Sequence, residues 1–400
     1  MSEDISQGEK NLSNLEEKLE RTRKELAILY DISNAMRTTL ELNHILYIIL
    51  TGVTAHTGLG FNRAVLFLVN KKERVLEGKM LIGPESGEEA EKIWRYIERE
   101  NADMEDLISV YKNSENTPTP LSEQIKRLKI PLHSNESSLL AATYHKGNSL
   151  HIRRDSIGQY AHDPLLQVFK TNELVVMPLK AKDKVNGIII ADNFYTQKPI
   201  TENDLKIFTM LANQAGLAIE NSQLYEMIVH KSNTDSLTAL WNHGFFQDTL
   251  LLEIEKAKES NTPVSLLVVD IDNFKKFNDT WGHQSGDVIL ARLAKLLKDC
   301  AREMDFVCRY GGEEFSIILT QTGKEQAFVI AERMREKVAQ YKFEIASSAQ
   351  PLNLTVSIGI ASYPEHAQTK EDLISKADKA MYTAKFIGKN KTIMVDTQGD

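Results

Sequence analysis

The 400-residue chain reads as two mixed α/β domains joined by a long helix. Three observations predict this. Strand-like runs at 63–70, 173–181 and 185–193 form a first cluster, and only "KDK" separates the last two, a hairpin spacing. A helical pattern runs through 201–231, opened by Thr201 as a cap. After the break "SNTDSLTALWNHGFF" (232–246), strands and helices alternate with long connections, which favours helices layered over a sheet. The predicted divisions are an N-terminal helix over 1–30, a first domain over 31–200, the linking helix over 201–231 and a second domain over 232–400.

The elements follow in order. Leu12, Leu15, Leu19, Leu26 and Leu29 stand at alternating steps of three and four, with Thr22 in the missing place. That short heptad stripe suits a coiled coil or a helix packed on its own domain. Residues 84–130 are polar and helix-like, ending around "NTPTPLSE", as an insertion over one face of the first domain would be. In the linking helix, Leu205, Phe208, Ala212, Ala215, Ile219 and Ser222 are expected to line part of a seam between two copies. The second domain is expected to contain helices near 244–259, 286–300, 324–340 and 369–388. Its strands are expected at 263–272, "FVCRY", "EFSIIL" and 354–362.

Composition narrows the class. With 42% hydrophobic and 26% charged residues the chain is ordinary for a soluble protein. Its net charge of −8 disfavours broad nucleic-acid or anionic-membrane binding. Apolar runs such as "ILYIIL" are too short to span a bilayer, and the polar start is unlike a secretory signal. Cys300 and Cys308 fit no zinc or redox spacing and suggest a reducing cytosol. A cytoplasmic protein without a membrane span is therefore expected.

The chemistry concentrates in "RYGGEEF" (309–315). Gly-Gly between strand-like runs predicts a two-residue hairpin with both glycines at positive φ. Glu313 and Glu314 then sit at a strand mouth, and "SLLVVDID" ends a second buried strand in Asp270 and Asp272. If these strands are neighbours, Asp270 and Glu313 meet at one sheet edge. Carboxylates held together are costly unless a cation lies between them, and hard oxygen ligands favour Mg²⁺. The alternative is a pair of solvated turn acids. "NFKKFNDTWGHQSGD" (273–287) adds Lys275 and Lys276 beside backbone N–H groups suited to phosphate, together with Asn278 and Asp287. A carboxylate accepts two hydrogen bonds from guanine's N1–H and amino group, a pair that adenine does not offer. Lys385 and Lys389 stand four apart, on one face of the expected last helix, where they could neutralise a triphosphate.

"DSLTALWNHGFF", "DIDNFKKFNDTWGHQSGD", "RYGGEEF", "SIGIAS" and "ADKAMYTAKFIGKN" occur in the order seen in the GGDEF family of diguanylate cyclases, and 232–395 resembles that family. The resemblance implies a fold like the palm of nucleotide cyclases and polymerases. It also implies condensation of two GTP into cyclic di-GMP and two pyrophosphates by a homodimer. Carried over by motif, Asp270, the Ile271 carbonyl and Glu313 would hold Mg²⁺, with Mn²⁺ possible. Glu314 would act at the metal or the attacking 3′-OH. Asn278 and Asp287 would contact guanine, while Lys275, Lys385 and Lys389 would serve the phosphates. Arg302 and Asp305 form R-x-x-D at the offset from "GGEEF" found in members inhibited by their own product, so c-di-GMP is expected as product and inhibitor. Many relatives carry Gly and then a basic pair where Ala239 and His243-Gly244 stand here.

Residues 27–225 resemble a GAF domain, through "LYDISNAMRTTLELNHILYIIL", "NRAVLFLVN", "VVMPLKAKDKVNGIIIADN" and "FTMLANQAGLAIENSQLYE". Such domains sense an unidentified small-molecule or protein signal. With no cysteine before Cys300, a thioether-linked bilin is excluded. His133, His145, His151 and His162 lack ligand spacing and read as structural. The rival function is a non-catalytic GTP- or c-di-GMP-binding receiver that controls a partner. It predicts a damaged acid pair, and the pair is intact.

Overall fold

The structure, a computed structural model, describes residues 19–20, 23, 26–56, 58–100, 104–109, 119–133 and 138–395. Leu12, Leu15 and Thr22 of the expected heptad, and the first three residues of "NTPTPLSE" (116–118), lie outside these residues. Contacts divide the chain into two compact units, Met1–Glu226 and Met227–Asp400.

In the first unit, α1 (26–37) and α2 (Leu42–Thr54) precede β1 (Arg63–Asn70) and β2 (Val75–Ile82). Then come α3 (Gly87–Glu100), α4 (Met104–Ser109), α5 (Pro120–Arg127) and β3 (Lys129–Pro131). α6 (Leu139–Lys146), β4 (Leu150–Ile152) and α7 (Pro164–Val168) lead to β5 (Leu174–Ala181) and β6 (Lys184–Asp192). The six strands run in the order β3-β2-β1-β6-β5-β4, with every neighbouring pair antiparallel. The "KDK" hairpin forms: Ala181 pairs with Lys184, and Lys182 takes φ 55° in the tight turn.

Both faces of this sheet are covered, which explains why β1 and β6 read as continuous apolar runs. Successive side chains point to opposite faces. Leu66 and Ile189 meet α1, α2 and the linking helix, whereas Phe67 and Ile188 meet α5, α6 and α7. The buried Arg63 pairs with the buried Asp192 at 2.5 Å and lies over the rings of Phe169 and Phe194. His145 and His151 bond to the Leu132 carbonyl and to Glu173, which are structural roles.

The linking helix, α8 (Glu202–Asn233), opens on a reciprocal cap. The Asp204 amide donates to Thr201 Oγ1, and the Thr201 amide donates to Asp204 Oδ2. The expected seam does not form from the residues named above. Phe208, Ala212, Ala215, Ile219 and Ser222 are buried in the unit's own core, and Leu205 packs against the same cluster. Ser222 Oγ also donates to the Leu40 carbonyl. An apolar helix face beside its own sheet is covered without the entropy cost of bringing two molecules together. That face is therefore taken first.

The second unit begins with a wide turn and then α9 (His243–Ser260), capped by Asn242. β7 (Val264–Ile271), α10 (Phe274–Trp281), α11 (His283–Cys300), β8 (Phe306–Arg309) and β9 (Glu314–Leu319) follow. α12 (Lys324–Gln340), β10 (Val356–Tyr363), α13 (Lys370–Phe386) and β11 (Thr392–Met394) complete it. The sheet order is β11-β10-β7-β9-β8. β7 is central and antiparallel to both neighbours, and β11 runs parallel to β10. α11 and α12 cover one face, and α9 and α13 the other. The expected strands and helices are present. The short α10 and β11 were not anticipated, and α11 starts three residues early.

Ala239 explains one departure in the opening turn. It takes φ 57°, in the left-handed region that favours glycine, and its amide donates to the Asp235 carbonyl. A side chain there costs about 1–2 kcal/mol. Ala239→Gly is expected to raise unfolding stability by about 1 kcal/mol, read as a higher urea midpoint at unchanged slope.

Candidate active site

The site lies where β7 ends and β9 begins. Asp270 pairs directly with Glu314 across the antiparallel ladder, and the Ile271 amide donates to the Glu313 carbonyl at 3.4 Å. The two strands are thus neighbours, but the residue opposite Asp270 is Glu314, with Glu313 one step beyond. The turn explains this register. Neither Gly311 nor Gly312 takes positive φ, and four residues, 310–313, connect β8 to β9. The amides of Tyr310 and Gly311 both donate to the Glu314 carbonyl. The expected two-residue turn is therefore replaced by a wider one. At Gly311 a Cβ would come within 2.9 Å of Glu314 Oε2, so the bare glycine leaves that carboxylate its place.

Electrostatics at this edge are unbalanced. Asp270 is only 2% exposed, and its Oδ1 has no hydrogen-bond partner. Lys385 Nζ sits 2.6 Å from Oδ2. Burial pushes the Asp270 carboxyl up to about 6 against the pull of Lys385, with the charges of Glu313 and Glu314 raising it further. One ammonium does not balance three acids. An orphaned, buried carboxylate oxygen among carboxylates is what a divalent cation would satisfy, so the residues fit such an ion. Among the described residues, no group of three or more His, Cys, Asp or Glu side chains forms a ready metal cage. The expected set has two carboxylates and one carbonyl.

Asp272 has a different task. Its carboxylate accepts from Thr355 Oγ1, Ser357 Oγ and the Asn390 amide, tying the segment after α13 to the end of β7. It is a structural acid. Lys389 is not on the helix that carries Lys385. α13 ends at Phe386, Gly388 takes φ 122°, and Lys389 follows at φ 61° with its amide on the Ala384 carbonyl. Its Nζ still reaches Asn273 Oδ1, beside β7's end. Both lysines therefore arrive at the acid edge, one from the helix and one from the loop after it.

Lys275 is exposed in the first turn of α10. Asn278 lies on α10 and Asp287 on α11. Asn278 Oδ1 is buried, has no partner and points at Gly286, where a Cβ would stand 2.0 Å away. Asp287 is the exposed next residue. The structure thus brings the expected guanine pair to one place. Arg302 and Asp305 form a tight turn before β8. The Arg302 amide donates to Asp305 Oδ2, Asp305 Oδ1 is buried without a partner, and Arg302 is exposed.

One network went unread in the sequence. Arg309 Nη1 lies 3.1 Å from both Asp235 carboxylate oxygens, its Nε donates to the Gly311 carbonyl and its Nη2 to the Gly312 carbonyl. Asp235 also caps its own turn, accepting from the Thr238 amide and hydroxyl. The arginine thus clamps the loop that carries Glu313 to the opening turn of the unit. His243 packs edge-on against Tyr310 at 4.6 Å.

The edge is thus an α/β sheet margin where the end of β7 and the start of β9 carry acids met by Lys385 and Lys389. Comparison supplies the family. Residues 232–391 match the diguanylate cyclase GGDEF domain, and residues 41–219 match the GAF domain. The chain is built of a GAF domain followed by a GGDEF domain, as its sequence resembled. Diguanylate cyclase A of Treponema denticola is 36% identical over 233 residues, covering 57% of this chain and 61% of that protein. Diguanylate cyclase DosC of Escherichia coli K12 is 39% identical over 170 residues, covering 42% of this chain and 36% of that protein. The chain thus spans less than two thirds of the length of these curated relatives. The crystal structure of the GGDEF domain of DgcB from Caulobacter crescentus in complex with c-di-GMP is 34% identical. That match covers 41% of this chain and 95% of the other, with a TM-score of 0.39.

Proposed function

We propose that the chain is a diguanylate cyclase, joining two GTP into c-di-GMP with loss of two pyrophosphates, regulated by its GAF domain and by its product. The observation that carries this is the acid edge: Asp270, with a buried unpartnered oxygen, opposite Glu314 and beside Glu313, inside a GGDEF domain.

Asp270, the Ile271 carbonyl and Glu313 would hold Mg²⁺ or Mn²⁺, which when bound neutralises phosphate charge and favours ionisation of the 3′-OH. Glu314 is the nearby carboxylate available to take the 3′-OH proton. The 3′ oxygen of one GTP then bonds to the α-phosphorus of the other as the bond to pyrophosphate breaks. Repeating the step in the other direction closes the ring. Lys385 and Lys389 hold the phosphates, with Lys275 at the start of α10, and Asn278 and Asp287 read guanine. Each domain offers one set of these groups, so two copies must face each other to bring both GTP into line.

The test is incubation of the purified protein with Mg²⁺ and either GTP or ATP, with products identified by mass spectrometry. c-di-GMP from GTP alone supports the reading; its absence from a folded, dimeric sample overturns it. Asp287→Ala is expected to raise the KM for GTP about tenfold or more, on the scale of lost hydrogen bonds, and to weaken the preference over ATP. Unchanged selectivity would show that guanine is read elsewhere. For the turn at Arg302 and Asp305, the buried free oxygen of Asp305 beside an exposed guanidinium supports a product site. Arg302→Ala should leave initial rates near normal and relieve inhibition as c-di-GMP accumulates. Equal inhibition of mutant and parent by added c-di-GMP would remove Arg302 from that site.

A further inference from the structure

Lys389 reaches the acid edge from an unfavourable stretch of backbone. Gly388, Lys389 and Asn390 take φ of 122°, 61° and 48°, three successive residues on the side that favours glycine. Two of them carry side chains, which crowd the backbone there. Such a path persists only where the surroundings over-determine it. Two backbone bonds hold its flanks: the Lys389 amide donates to the Ala384 carbonyl, and the Ile358 amide of β10 donates to the Lys391 carbonyl. Asn390 is gripped twice. Its amide donates to Asp272 Oδ2 at 2.9 Å, and its side-chain Oδ1 accepts from Arg335 Nη1 at 2.9 Å. Arg335 is itself aimed. Its Nε and Nη2 donate to the two carboxylate oxygens of Glu332, each at 2.9 Å, three residues earlier on α12. Two parallel bonds of this kind set the plane of a guanidinium, and Nη1 is left for Asn390. The Arg335 side chain is only 16% exposed. α12 covers one face of the sheet and α13 the other, so this bond ties one layer to the loop that leaves the opposite one, just before edge strand β11.

We propose that Arg335 is a positioning residue for the triphosphate: through Asn390 it holds the 388–390 path from which Lys389 meets the phosphates. This rests on the reading of Lys389 as a phosphate contact. A lysine ammonium is a point charge on a flexible four-carbon stem, so where it acts depends on where its backbone is held. Lys385 needs no such aid, because it springs from the last turn of α13. Lys389 stands beyond that helix, with its Nζ on Asn273 Oδ1 at the end of β7. Without Arg335, the Asn390 side chain loses its anchor and the lysine loses its defined origin. The guanine-side pair, Asn278 on α10 and Asp287 on α11, belongs to other elements and keeps its place. Loss of Arg335 therefore weakens the hold on phosphate and spares the hold on guanine.

The experiment titrates the full chain by calorimetry, in Mg²⁺, with GMP and with the α,β-methylene analogue of GTP, whose P–C bond does not release pyrophosphate. Arg335→Ala should weaken the analogue about tenfold, on the scale of one lost charged contact, and GMP by less than about twofold. In a Lys389→Ala background the same change should cost no further affinity, because the residue it acts through is gone. A purely structural arginine would give an additive loss instead. Asn390→Gly removes the Oδ1 acceptor, suits the positive φ and leaves the Arg335–Glu332 pair intact. It should show the same split, and it carries the test if Arg335→Ala does not fold. Equal weakening of both nucleotides, an additive loss beside Lys389→Ala, or unchanged affinity in the folded single variants would overturn the assignment. The titration does not depend on turnover. The expected split in a protein that makes no c-di-GMP from GTP would sink the cyclase reading and leave Arg335 its role. A parent that binds no analogue would overturn both.

Discussion

Glu313→Ala should reduce c-di-GMP formation about a thousandfold or more while the protein remains folded. Losing several kcal/mol of charge stabilisation at a phosphoryl group reads as roughly three powers of ten in rate. The fold should not suffer, because Glu313 is a half-buried acid whose charge acts against Asp270. Removing it relieves that repulsion. The melting temperature should therefore stay level or rise slightly. The decisive measurement pairs initial rates with a thermal melt on the same sample. Full activity would exclude Glu313 from the metal set, and a collapse of the melt would show that it is structural.

Arg309→Ala should have the second largest effect, and on both properties. The guanidinium joins Asp235 to the Gly311 and Gly312 carbonyls, and no other side chain bridges these places among the described residues. Hydrogen bonds to charged groups contribute about 1.5–3 kcal/mol. Its loss should lower unfolding stability by about 2 kcal/mol and turnover by about tenfold to a hundredfold, because the loop before Glu313 loses its fixed position. Asp235→Asn should be milder: it keeps an oxygen for Arg309 and for the Thr238 amide. If Arg309→Ala lost stability but kept full kcat, the clamp would serve the fold alone.

Much of the site was legible because its residues lie at strand ends, where period and composition are clear. "SLLVVDID" announces a buried strand with acids at its tip, and "EFSIIL" another. What could not be read was pairing set by geometry. The Gly-Gly dipeptide suggested a tight turn, whereas the observed four-residue connection moves the partner of Asp270 from Glu313 to Glu314. The spacing of four from Lys385 suggests one helical face for Lys389, but Gly388 ends the helical path first. Asp235 and Arg309 are 74 residues apart, and nothing local links them. The linking helix was expected to pair with a second copy through one apolar face. The spacing of Phe208, Ala212, Ala215 and Ile219 is legible in the sequence, but only the neighbouring sheet decides that this face is buried at home.

The strand order has a consequence for how the protein is made. Asp270 belongs to the first strand of its sheet to leave the ribosome. Asn273 and the lysine that reaches it, Lys389, are 116 residues apart, and Asp272 and the amide it accepts from Asn390 are 118 apart. β10 and β11 are also translated late, yet β10 is one of the two neighbours of β7. An incomplete nascent chain therefore carries the acid edge without its counter-charges and without one side of its central strand. The charge balance of the edge is therefore complete only once residues 385–390 have been made.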